Sequence, residues 1–217
     1  NRLREIAQAY DVPPLSEAAV ERLSQYVRSG GGLWITLGEE ADRDTFNNLL
    51  YQEGQGLAPL VLDEPVGDAR DREKFDLVHP PEGNHVVTEL LADTQRLDID
   101  EVKIYRRHQF RRPGSGDEVS VLLESDKGAV LAAEKYLERG RVIVQCVPLN
   151  LNWSNLPLCQ AYVPMLHEWL WYLAEPAVPQ RNLQPGEPLV YSRDVAQRES
   201  TAVLTPPAGE PIELVPQ

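Results

Sequence analysis

Cysteine is nearly absent from this chain: Cys146 and Cys159 are its only two. Two cysteines cannot build a disulfide framework. Cys146 falls in an apolar strand pattern and Cys159 at a helix start, which disfavours a single bridge. The four histidines are scattered, with no pair at metal-ligand spacing. No apolar run approaches the ~20 residues that span a bilayer, and no secretory signal is visible. Basic charge is short too. Lys and Arg number 21 against 34 Asp and Glu, a net charge of −13. Nucleic-acid binding needs a basic face to neutralise phosphates, and anionic lipid heads need the same. Both partner classes are disfavoured. The chain begins at Asn1, without Met, and reads as a piece of a longer protein.

What remains is an ordinary globular composition, 42% hydrophobic and 25% charged. The clearest unit is SEAAVERLSQYVRSGGGLWITLG. Ser16 is an N-cap whose hydroxyl can accept from first-turn amides, and Val20, Leu23 and Val27 recur at helical spacing. Gly30 to Gly32 stop the helix. LWITL then reads as a strand buried on both faces. Residues 42–51 read as a second helix, and GQGLAPLVL leads into a short strand. Residues 63–85 are polar and proline-containing and read as a long loop. HVVTELLAD reads as a short helix and EVKIYRRHQF as a strand. VSVLLES, AVLAAEKY and RVIVQCVPL follow on links so short that antiparallel neighbours are expected. YVPMLHEWLWYLAE is the last helix, with Val163, Leu166, Leu170 and Leu173 on one face. Residues 177–217 read as a β extension or the start of a β-sandwich module.

The order of these elements resembles the class I glutamine amidotransferase-like fold. YVRSGGGLWITLG, the late hairpin GAVLAAEKYLERGRVIVQCVPL, and WSNLP before the last helix carry the likeness over about residues 15–176. The nearest look-alikes are non-amidotransferase branches. They include trehalose-utilisation (ThuA)-type proteins, the trimerisation domain of some β-galactosidases, and domains fused to von Willebrand A modules in aerotolerance-type bacterial membrane proteins. The resemblance implies an α/β fold with an open flavodoxin-like sheet, mostly parallel, with an antiparallel hairpin at its C-terminal side. It also implies a strand ahead of Pro13, where LREIAQAYDVPPLS offers only a short helix and little strand.

The resemblance does not carry amidotransferase chemistry with it. That chemistry needs a nucleophile elbow, and no G-x-C-x-G occurs. Cys146 lies between Gln145 and Val147 and reads as a buried strand residue. His167 and Glu168 are adjacent on a helix rather than alternate on a loop, so they point about 100° apart. No catalytic residue, metal or cofactor is assigned.

Binding is the stronger expectation. Asn150, Asn152, Trp153, Ser154 and Asn155 follow the end of a strand, the edge where open α/β sheets take ligands. They suit a small polar ligand, or equally cap the next helix. Glu39 and Glu40, after LWITL, lie on the same edge; the acidic run they begin could hold a hard cation or favour a helix start. YRRHQFRR is the one basic cluster, suited to an acidic partner, to the protein's own carboxylates, or to a solvated strand edge. Two functions follow. One is a non-catalytic interaction or ligand-sensing domain of a larger, membrane-anchored bacterial protein, with a protein or its own flanking domains as partner. The other is a carbohydrate-related hydrolase or sugar-binding domain with Trp153 stacked on the sugar.

Overall fold

A computed structural model describes residues 15–82, 85–112 and 119–175, together with the backbone of three short strands before and after them. The first of these, β1 (Ile6–Tyr10), runs parallel to β2 (Gly32–Thr36), with helix α1 (Glu17–Arg28) between them. The stretch before Pro13 is thus a strand, not the short helix expected. Five residues are too few to show a period, and their β identity comes from pairing with β2. Helix α1 begins as its sequence dictates: Ser16 Oγ accepts from the Ala19 amide at 3.3 Å. Gly30 ends it at a φ of +115°, a conformation costly for any side chain.

All five residues of β2 are buried, and successive ones face opposite layers. Trp34 packs on Trp169 of helix α3 (Tyr162–Ala174), ring centroids 5.0 Å apart. Ile35 faces Phe46 and Leu50 on the other side. Those two belong to α2 (Arg43–Thr45) and its π-helical continuation Phe46–Tyr51. Helices therefore cover both faces of the sheet.

The remaining strands are β3 (Leu62–Gly67), β4 (Asp76–His79), β5 (Lys103–Ile104), β6 (Arg106–Phe110), β7 (Val119–Ser125), β8 (Val130–Leu137) and β9 (Gly140–Gln145). The main sheet has the order β1-β2-β9-β8-β7-β4-β5. Only β1, β2 and β9 are parallel; the other pairings are antiparallel. The expectation of a mostly parallel sheet is corrected accordingly. Parallel neighbours need a crossover of a dozen or more residues, and the links within β7-β8-β9 are far too short.

The polar stretch 63–85 is not a loop either, since it contains most of β3 and all of β4. β3 pairs with β6 in a separate two-stranded ribbon whose register shifts between Asp63 and Val66, around Pro65. HVVTELLAD forms a single 3-10 turn, Leu90–Ala92. Helix α3 presents Met165, Trp169 and Leu173 to the core, and Val163 is 69% exposed. The expected face is rotated because Trp169, the bulkiest inward side chain, sets the contact. It packs on Trp34 and donates its indole N–H to the Val87 carbonyl at 3.2 Å.

β10 (Ala202–Leu204) and β11 (Ile212–Leu214) form an antiparallel pair. The rest of the expected module over 177–217 lies outside the described residues. Among those described, no helix is long and apolar enough to cross a membrane.

Candidate functional site

Parallel strands β2 and β9 end side by side, with the Leu37 amide donating to the Gln145 carbonyl at 2.9 Å. Their C-terminal ends form the edge at which open α/β sheets bind ligands. A cleft of about 180 Å³ lies there. Its walls are the Gly38–Asp44 turn, Glu64 and Pro65 of β3, Arg106 and His108 of β6, and Trp153.

Each wall has a local cause. The His108 amide donates to the Cys146 carbonyl at 3.0 Å, which docks β6 on the residue following β9. With β6 so placed, alternate residues Arg106 and His108 reach the cleft. The His108 ring is buried, and its Nε2 lies 2.9 Å from the Gly38 carbonyl oxygen. A ring nitrogen facing a carbonyl must donate, so Nε2 carries the proton. Asp42 caps α2 by accepting from the Thr45 amide at 2.8 Å. Its carboxyl is held below the usual range by hydrogen bonding to Thr45.

The rim alternates in charge. Arg43 reaches Asp44 at 2.9 Å and Glu64 at 3.0 Å, and Arg106 lies 3.7 Å from Glu39. Donors and acceptors thus lie in neighbouring pairs, a surface that can bind hydroxyls and amides or exchange partners with a zwitterion. Among the described residues no group of His, Cys, Asp and Glu is disposed to hold a metal ion.

Of the residues expected at a site, Glu39 and Trp153 meet in this cleft. Trp153 is only 1% exposed. The Arg106 guanidinium lies 5.0 Å from its ring and the His108 ring leans against it, tilted by 43° at 5.1 Å, so its faces are covered rather than offered to a sugar. Glu40 lines the adjoining apolar hollow with Ile35 and Phe46. Asn150 accepts from the Asn152 amide at 2.9 Å, closing a turn. Ser154 is fully buried and bridges to Ile104. Asn155 Oδ1 accepts from the Lys103 amide at 2.6 Å, tying this loop to β5.

No thiol or hydroxyl side chain lines the cleft. Cys146 is fully buried, and burial pushes its thiol up to about 12, with Arg107 offsetting a little. A thiol at that value holds almost no thiolate at neutral pH, and the thiolate is the nucleophile. Cys146 is followed by turns, not by the helix of an elbow. His167 Nε2 accepts from the Trp171 indole at 2.6 Å, and its Nδ1 is 3.5 Å from Glu168, all on exposed positions of α3.

Sequence alone missed Arg43, Glu64, Arg106 and His108. The only signal was in RRHQF, where His108 alternates with buried Phe110. The same basic cluster pairs largely with the protein's own carboxylates: Arg107 with Asp76 at 3.3 Å, Arg111 with Asp63 at 3.0 Å, and Arg112 with Glu124 at 3.1 Å.

No family model matches the chain, and no curated protein matches it. Solved structures do resemble it. Cytoplasmic protein STM3548 from Salmonella typhimurium superposes with a TM-score of 0.60 at 14% identity, over 78% of this chain and 72% of that one. Cytoplasmic protein STM1381 from Salmonella typhimurium LT2 gives 0.56 at 14% identity, over 78% and 71%. At such identity the likeness is one of fold: an open α/β sheet shared with these two bacterial proteins.

Proposed function

We propose that this chain is a non-catalytic, amidotransferase-like ligand-sensing or interaction domain. Its ligand is a small polar molecule bearing both hydrogen-bond donors and acceptors, taken in the cleft over the ends of β2 and β9. The observation that carries this reading is the composition of that cleft. Paired carboxylates and guanidinium groups line it, while both thiols lie elsewhere with raised pKa values. The resemblance in sequence pattern extends the proposal: the domain serves a larger, membrane-anchored bacterial protein, and a ligand bound here alters contact with a partner or with flanking parts of the same chain.

The test is a thermal-shift panel of sugars, amino acids and nucleotides. At least one compound is expected to raise Tm in the native chain and to lose that effect in Glu39→Gln and Glu64→Gln. A flat response across the panel, or stabilisation indifferent to both substitutions, removes the cleft as the site. The sugar-binding alternative predicts hits confined to sugars and lost in Trp153→Ala. The covered faces of Trp153 make it the weaker reading.

A further inference from the structure

A second and larger cleft, about 560 Å³, lies between β6, β4 and the segment Val66–Phe75. Its charge runs against that of the chain. Overall the protein carries −13, yet Lys74, Arg106, Arg107 and Lys127 here face three carboxylates, Asp68, Asp71 and Asp76. Two more cations sit on the aromatic rings of the wall: Arg72 lies 4.2 Å from the Tyr105 ring centre and Lys103 lies 4.8 Å from that of Phe75.

The pairing inside the cleft is unbalanced. Asp76 alone holds two cations, Arg107 through Nε at 3.3 Å and Lys127 through Nζ. Arg107 is largely buried, and its Nη1 has no hydrogen-bond partner. Lys74 is tied only at its tip, to Asp71 at 3.0 Å, and stands 89% exposed, free to swing onto a ligand. Guanidinium groups below and ammonium groups at the rim are the donor set that recognises compact anions bidentately and by charge.

We propose that this cleft binds a compact multivalent oxyanion, either a phosphate ester or a di- or tricarboxylate. The site is distinct from the polar-ligand cleft, although Arg106 contributes to both. Asp68 and Asp71 act as internal competitors that keep it closed to weakly charged ligands.

Sodium pyrophosphate and citrate, each titrated calorimetrically into the full chain, serve as probes of the two sources. At least one is expected to bind. Replacing Lys74→Gln together with Lys127→Gln should weaken it about tenfold, since two charge-assisted contacts are lost. Asp71→Asn should tighten it several-fold, an outcome no folding defect can imitate. Glu64→Gln, in the other cleft and paired with Arg43 rather than Arg106, should leave it unchanged. Binding of pyrophosphate alone identifies phosphate esters, and binding of citrate alone identifies carboxylates. Absence of binding by both at millimolar concentration overturns the proposal. So does binding that ignores the lysine and aspartate changes, or binding that is lost in Glu64→Gln.

Discussion

Asn155 fastens the loop after β9 to β5. Its Oδ1 accepts from the Lys103 amide at 2.6 Å, its own amide donates to the Lys103 carbonyl at 3.1 Å, and its carbonyl receives Leu158 N–H at 2.8 Å. Asn155→Ala leaves the Lys103 amide unpaired and should cost about 1–3 kcal/mol in urea unfolding. Glu134 is a sharper case. It is fully buried on β8, with Oε2 2.9 Å from Nε2 of His85. Tyr172 lies close enough that Glu134, after burial, helps push its phenol well above the ordinary range. His85→Ala should destabilise by about 1–3 kcal/mol because it leaves the buried Glu134 carboxyl without the imidazole that faces it. Glu134→Leu in that background should restore part of the loss, measured on the same denaturation curves. The cysteines give a chemical prediction. Cys146, at about 12, should ignore Ellman's reagent at pH 8 until the protein is unfolded. Cys159, pushed to about 11 by burial and then by Asp98 and Glu101, is only partly covered and should react slowly in the native state.

At the scale of elements, helix α3 and strand β2 approach as closely as backbones allow. A Cβ on Gly32 would stand 2.2 Å from the Leu173 carbonyl oxygen. Gly32→Ala must therefore push α3 off the sheet and should cost about 1–3 kcal/mol in thermal or urea unfolding. A neutral outcome would mean that the Trp34–Trp169 contact tolerates a shift. Elements whose signal is local were legible from the residues: α1 with its Ser16 cap, the buried β2, the tight β7-β8-β9 meander and α3. β1 and β4 were not, and β3 only at its start, where GQGLAPLVL ends, because each is a short strand defined by a distant partner. The same reason divides the site. Glu39 and Trp153 follow strand ends and could be placed on the binding edge by rule. Arg106 and His108 arrive there because the β3-β6 ribbon docks across the end of β9, through a bond between His108 and Cys146 that no local pattern announces. A mostly parallel sheet is what the family resemblance implies, whereas the short links, which dictate antiparallel neighbours, govern β7-β8-β9.

For the whole molecule, the fold places a polar cleft at the parallel edge and keeps both thiols away from it. The likeness to two Salmonella proteins at 14% identity fixes the architecture and no chemistry. Binding without turnover is the core of the proposed function. The direct measurement is to incubate each stabilising compound, together with glutamine, with stoichiometric protein and recover it for mass analysis. Every compound should be recovered at its starting mass, with no ammonia above buffer, in the native chain and in Cys146→Ser alike. Conversion by the native chain that disappears in Cys146→Ser would contradict the proposed function.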